Sequence, residues 1–281
     1  MKYVQLNNGI MMPQIGFGVC GFKDLEECEK IVLKAIEVGY RLFDTAAIYE
    51  NEEAIGSAIK KSGIPRDEFF ITSKLWVTDN SYEGAKKGFN ESLEKLQVES
   101  IDLYLLHRPL GDYYGAWRAL TELYQEGKIK AIGVSNFFND RLYDLVYNNE
   151  IKPVINQIQC HPFLQRQEEM TLHQELDIQL EAWSPFAAGM NHLFENEVLK
   201  ELANKYHKTV GQIILRWHIQ RGFVVIPRST KEARMKENIE VFDFALSEEE
   251  MIKIKTLDIE KREDSQYRLE SLKRVYKTKR M

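Results

Sequence analysis

In this 281-residue chain, polar residues close one apolar run after another, and their types suit proton chemistry. Asp44 ends "RLFD", Lys74 ends "ITSK" and His107 ends "LYLLH". Tyr49 follows Asp44 in "DTAAIYENEE". Ser135 and Asn136 follow "IGV", Asn156, Gln157 and Gln159 lie in "NQIQ", and Trp183 and Ser184 in "EAWSP". Arg228, Ser229 and Thr230 follow "VVIP". An aspartate beside a lysine holds the ammonium in place. A lysine near a tyrosine favours phenolate and draws the tyrosine pKa down from about 10. Together they describe a proton donor for a developing alkoxide. Each residue has a plainer reading alone: the aspartate as a cap or turn former, the lysine snorkelling to solvent, the histidine packed. Three such groups closing three successive strands shift the balance toward a shared site.

The elements that would position them alternate. "VQLNNGIMMP" reads as a β-hairpin with a type I′ turn at Asn8-Gly9. Eight strand candidates follow, at 14–19, 41–44, 69–74, 101–107, 130–135, 154–159, 178–184 and 223–227. Helical patterns lie between them. Asp24 and Gly39 bracket one, and "SEEE" from Ser247 is a capping box opening the last. Strands such as "IDLYLL" and "FVVIP" are apolar on both faces, as in a parallel sheet covered by helices. Eight such units predict an α/β fold, a (β/α)8 TIM barrel with the N-terminal hairpin closing its bottom; an open doubly wound sheet is the alternative. Barrel active sites gather at the C-terminal ends of the strands, where these polar groups fall. No linker divides the chain, so residues 1–281 read as a single domain. From Glu260 the sequence turns highly charged and is expected to form a solvated terminal helix and frayed end.

Bulk properties narrow the function. A net charge of −5 gives no global pull toward nucleic acid or anionic membrane. The N-terminus is too polar for a signal peptide, and no apolar run is long enough to span a bilayer. Three cysteines without a CxxC pair suit reduced thiols in a cytoplasm. No HExxH or Cys/His cluster calls for a metal, so none is expected. "GFGVCGF" lacks the spacing of a dinucleotide-binding GxGxxG.

"DTAAIYENEEAIG", "ITSKLW", "LYLLHRP", "IKAIGVSNF", "NQIQCHP", "WSPFAAG" and "IPRSTKEARMKEN" occur in the order and spacing of the aldo-keto reductases. The chain resembles that family from "MPQIGFG" through about Leu257, and is similar to its microbial 2,5-diketo-D-gluconate and methylglyoxal reductases. The resemblance implies NADPH-dependent reduction of aldehydes and ketones to alcohols, with small dicarbonyls, keto-sugars or aromatic aldehydes as substrates. Tyr49 would be the general acid, Lys74 would lower its pKa, Asp44 would pair with Lys74, and His107 would orient the carbonyl. Ser135, Asn136 and Gln157 would bind the nicotinamide carboxamide, Trp183 would stack on its ring, and Ser184 and Pro185 belong to the same cofactor set. Arg228, Ser229, Thr230 and Arg234 would grip a 2′-phosphate, with Glu237 and Asn238 beside the adenine. A 2′-phosphate wants cationic forks, hydroxyls and helix N-terminal N–H groups, which "RSTKEAR" offers. The substrate pocket would hold Cys20, Trp76 and Arg108. The implied partner is a small-molecule carbonyl, the expected state a monomer or weak dimer.

Four departures stand out. Arg108 replaces a tryptophan common after the histidine, so it either favours anionic substrates or turns to solvent or a local acid such as Asp112. Cys20 stands where an aromatic is usual, leaving room and a point of oxidation. Gln159 stands where the family usually has Glu, so a charge beside the site is missing. The short segment after the seventh strand, "FAAGMNHLFEN", is expected to cover the pyrophosphate loosely. Two rival readings share the fold: a cofactor-binding redox sensor with little turnover, which the intact Asp44, Tyr49, Lys74 and His107 set opposes, and a metal-dependent hydrolase, which lacks ligands.

Overall fold

The computed structural model describes residues 1–259 and 269–277. Two short strands, β1 (Tyr3–Gln5) and β2 (Met11–Pro13), form the N-terminal antiparallel hairpin. Then come β3 (Phe17–Gly18), β4 (Leu42–Asp44), β5 (Phe70–Leu75), β6 (Leu103–Leu106), β7 (Ile132–Ser135), β8 (Ile155–Gln159), β9 (Gln179–Trp183) and β10 (Val224–Val225). These eight pair in parallel with their chain neighbours. The ends also meet: Ile15 bridges Val225 in parallel, the Gly16 N–H donates to Val225 O at 2.8 Å, and the Val225 N–H donates to Gln14 O at 3.1 Å. The sheet is therefore a closed barrel.

The helices are α1 (Leu25–Val38), α2 (Glu52–Ser62), α3 (Tyr82–Leu96), α4 (Tyr113–Gln125), α5 (Asn139–Tyr147), α6 (Gln167–Leu176), α7 (Glu197–Tyr206), α8 (Val210–Gln220), α9 (Glu232–Ile239), α10 (Glu248–Lys255) and α11 (Leu269–Lys277). Their ends follow local chemistry. Asp24 accepts the Glu27 N–H at 2.8 Å, and Ser247 and Glu250 form the expected capping box.

Period two along the strands sorts their side chains. Phe43, Ile71, Tyr104, Ile132, Ile158, Leu180 and Val225 join the core between sheet and helices. Leu42, Phe70, Leu103, Leu105, Ala131, Ile155 and Val224 fill the barrel instead, together with Leu6 and Met12 of the hairpin. Stepping two residues along the inward face changes apolar to polar: Leu42 to Asp44, Ile155 to Gln157, Leu105 to His107. The interior is thus a greasy plug below and a polar layer above.

The hairpin covers the plug from the bottom. Asn7 Nδ2 donates to Pro153 O at 3.0 Å and Asp177 O at 2.8 Å, and Asn8 Nδ2 donates to Lys130 O at 3.1 Å, all just ahead of strands. Its turn is not the type I′ form expected from Asn8-Gly9. Gly9 alone takes a positive φ there, of 89°, and its N–H donates to Leu6 O at 2.8 Å. That is a turn over Leu6–Gly9 with glycine in the bulge position, the three-residue alternative. The tail also differs from expectation. Residues 260–268 and 278–281 lie outside the described ones, but within α11 Val275 is buried and packs with Trp76 and Val77. An apolar residue set among charges found a wall to cover, so this helix is not wholly solvated.

Candidate active site

At the C-terminal rim, a cavity of about 670 Å³ opens over the polar layer. It is lined by Cys20, Asp44, Tyr49, Trp76, His107 and Arg108. Ser135, Asn136, Gln157, Trp183, Ser184 and Pro185 continue the wall toward Arg228 and Arg234. Lys74 lies beneath, fully buried. Of the remaining expected residues, Ser229 and Thr230 sit on the turn leading to α9 and Glu237 and Asn238 lie within that helix, outside the cavity lining. Ser229 Oγ accepts the Lys231 N–H at 3.1 Å. Asn238 is buried against Tyr40, with which it hydrogen-bonds.

Adjacent strands bring the acid and base together. Lys74 Nζ donates to Asp44 Oδ1 at 2.6 Å and to Thr45 O at 2.8 Å. The same Nζ stands 5.1 Å from the Tyr49 ring centre, and the His107 ring meets Tyr49 edge-on at 5.7 Å. Tyr49 ends a 3-10 turn, Ala47–Tyr49, closed by Glu50 in the left-handed region at φ 57°. Asn51 fastens that turn: it accepts from Thr45 Oγ1 at 2.7 Å and donates to Val19 O and Phe22 O.

Burial, then the Asp44 carboxylate and Cys20, hold the Tyr49 phenol well above its usual value, and Arg108 opposes them. Lys74, bound to Asp44 with its Nζ close to the ring, also brings positive charge to the phenol. His107 is pushed well below the usual histidine value by burial, then by Lys74 and Arg108, so its imidazole is neutral.

The carboxamide candidates are tied to one another. Ser135 Oγ donates to Gln157 O at 3.0 Å, and Asn136 Nδ2 donates to His107 O at 3.1 Å and Ser135 Oγ at 2.9 Å. Trp183 Nε1 donates to Asn136 Oδ1 at 3.0 Å, which fixes the indole beside the cavity. Asn136 and Ser184 both take left-handed φ, at 60° and 53°, where their strands end. Such backbone costs energy and persists where surrounding bonds hold it. Arg228 donates to Cys20 O and lies over the Phe22 ring.

Sequence reasoning missed Glu181, which is wholly buried beneath the cavity. Gln157 Nε2 donates to Asp44 Oδ2 at 2.8 Å and to Glu181 Oε2 at 2.9 Å. A carboxyl thus stands beside the site although Gln159 does not provide one. The signal was its parity: Glu181 is two residues before Trp183 and so shares its inward face. Ile48, Phe186 and Phe194 also line the cavity, and nothing in their spacing marked them. Among the described residues no helix is long and apolar enough to cross a membrane.

The aldo/keto reductase family model matches residues 14–259. The chain is 49% identical over 260 residues to the glyoxal reductase of Bacillus subtilis, covering 92% of this chain and 94% of that one. It is 44% identical over 262 residues to the methylglyoxal reductase DkgA of Escherichia coli K12, covering 92% and 94%. An aldo-keto reductase of Bombyx mori, solved in complex with NADP, superposes with a TM-score of 0.87 at 36% identity, covering 92% of each chain.

Proposed function

The chain belongs to the aldo/keto reductase family and acts as an oxidoreductase on carbonyls; we propose that NADPH is its electron donor, Tyr49 its general acid, and small dicarbonyls such as glyoxal and methylglyoxal its substrates. The observation that carries this reading is the buried Lys74–Asp44 pair, 2.6 Å apart, with Tyr49 and His107 above it on one cavity.

The residues present fit a phosphorylated dinucleotide. Arg228 and Arg234 give one end of the cavity positive charge for a 2′-phosphate, helped by Ser229 and Thr230 at the start of α9. Glu237 and Asn238, further along α9, would lie by the adenine. Ser184, Pro185 and the Trp183 indole would hold the nicotinamide end, with Ser135, Asn136 and Gln157 at its carboxamide. The bound cofactor would supply a hydride to the carbonyl carbon. The protein's work is on the oxygen. Neutral His107 donates a hydrogen bond to the carbonyl oxygen and sets its direction. Tyr49 then gives its proton to the oxygen as negative charge develops there. The raised pKa keeps the phenol protonated until that moment. Lys74, held by Asp44 and Thr45, and Arg108 stabilise the phenolate that results.

Substrate and cofactor preference are read from loss of nicotinamide absorbance over a panel of glyoxal, methylglyoxal and aromatic aldehydes, with NADPH and with NADH. Turnover of at least one dicarbonyl is expected, and NADPH is expected to be preferred. An enzyme equally efficient with NADH would overturn the 2′-phosphate reading. Absence of turnover with every carbonyl would overturn the substrate reading.

A further inference from the structure

Gln157 and Glu181 face one another across the β8–β9 register, both on the inward face of the barrel. Asp44 stands on the opposite wall, with Oδ1 taken by Lys74 and Oδ2 turned to Gln157. Both hydrogens of the Gln157 amide are therefore committed, one to each carboxyl. An amide has a donor end and an acceptor end of nearly the same shape, so only its partners decide which way it points. The flipped amide would set its oxygen against Asp44 Oδ2, on the carboxylate paired with Lys74. The Gln157 carbonyl oxygen is thus the end left for the cavity that this residue lines.

We propose that Glu181 is a positioning residue: with Asp44 it fixes the Gln157 amide so that a hydrogen-bond acceptor, and not a donor, faces the nicotinamide end of the cavity. The role rests on the reading above, that a nicotinamide lies here. An acceptor at this point matches the N–H of a primary carboxamide. It offers nothing to a ring that carries a methyl ketone instead.

Glu181 suits the task for three reasons. It is wholly buried, so no water competes for the amide hydrogen. Its second oxygen, Oε1, is buried without a partner, so no other residue pulls the carboxyl away. Burial, then the nearby Asp44 charge, pushes its pKa up to about 8, so at neutral pH it is an uncharged acid that still accepts through Oε2. A second full charge beside Asp44 is avoided while the geometry is kept. An apolar residue at 181 would leave one Gln157 hydrogen buried and unsatisfied, and the amide would turn to relieve it.

The test compares binding of NADP+ and its 3-acetylpyridine analogue, which lacks the carboxamide N–H, by quenching of tryptophan fluorescence. In Glu181→Leu the affinity for NADP+ is expected to fall about tenfold while that for the analogue changes less than about twofold. Glu181→Gln keeps an oxygen for the Gln157 hydrogen and is expected to stay within about twofold of wild type for both. Equal losses for the two dinucleotides, no loss in either, or Glu181→Gln behaving like Glu181→Leu would each overturn the role. Should Glu181→Leu not fold, Glu181→Ser must show a discrimination of the same sign, and its absence overturns the role equally. Gln157→Leu must abolish the preference for NADP+ over the analogue; a preserved preference means the Gln157 carbonyl does not meet the carboxamide. A wild type that binds neither dinucleotide overturns the cofactor reading itself, and this role with it.

Discussion

At the scale of single residues, two side chains can be tested apart from their surroundings. Tyr49→Phe removes one oxygen from a ring held by His107 and Lys74. Carbonyl reduction is expected to fall about 100- to 10,000-fold while NADPH binding changes little. Normal turnover in that variant would remove Tyr49 as the acid. Arg108 lines the cavity and its charge reaches both Tyr49 and His107. It is expected to favour carbonyls that carry a carboxylate. The measurement is the ratio of kcat/KM for benzoylformate and for its neutral analogue phenylglyoxal, before and after Arg108→Ala. A fall in that ratio is expected, and an unchanged ratio leaves Arg108 without this role. At this scale the sequence was readable where a polar residue interrupts an apolar run. Asp44, Lys74 and His107 announced themselves that way. Glu181 did not, because it lies inside its strand, where an acid two residues from the end is visible only once the inward face is known.

At the scale of elements, α2 connects Tyr49 to the rest of the barrel. It begins two residues after the Tyr49 turn, and Glu52 in its first turn accepts from Ser73 Oγ at 2.6 Å. Its close fit to α3 depends on Gly56. A Cβ there would stand 2.2 Å from Leu96 O and 2.6 Å from Leu96 C, backbone atoms that cannot step aside. Gly56→Ala is expected to destabilise the protein by roughly 1–3 kcal/mol and, by pushing α2 outward, to lower kcat as well. Urea midpoints read the first effect and saturating kinetics the second; wild-type values in both would show that the helices adapt without moving Tyr49. Element positions were legible because caps and periodicity are local. The hairpin turn was misjudged because Asn-Gly suits more than one turn, and the docking of the hairpin onto the barrel selects among them. Burial of Val275 was not legible either, since its wall, Trp76 and Val77, lies about 200 residues away in sequence.

For the whole molecule, buried titratable groups set how stability depends on pH. His107 and His218 are pushed well below the usual value, and His161 and His173 down to about 4, each mainly by burial. Between about 4 and 6.5 the unfolded chain binds protons that these folded histidines refuse, so stability rises with pH there. Glu181 acts in the opposite sense. Its folded pKa of about 8 lies above the unfolded value, so the folded chain holds a proton that the unfolded chain has lost, and stability falls as pH rises toward 8. A maximum near about pH 6–7 is expected from the two slopes. Glu181→Gln removes the descending one, so its urea midpoint should gain on wild type steadily from pH 5 to about 8. A constant difference across that range would mean that Glu181 does not titrate in it.

The sequence by itself determined the repeating strands and helices, and the barrel rim at which Asp44, Lys74 and His107 would stand. These follow from periodicity, capping and chain order, which are properties of neighbouring residues. Only the tertiary structure decided which groups touch. Closure through Ile15 and Val225 brings the eight strand ends into one ring. Within that ring Gln157 reaches Asp44, 113 positions away, and binds Glu181 with its other hydrogen. The groups facing Tyr49 were settled there too, because burial and distance fix which charges act on a phenol.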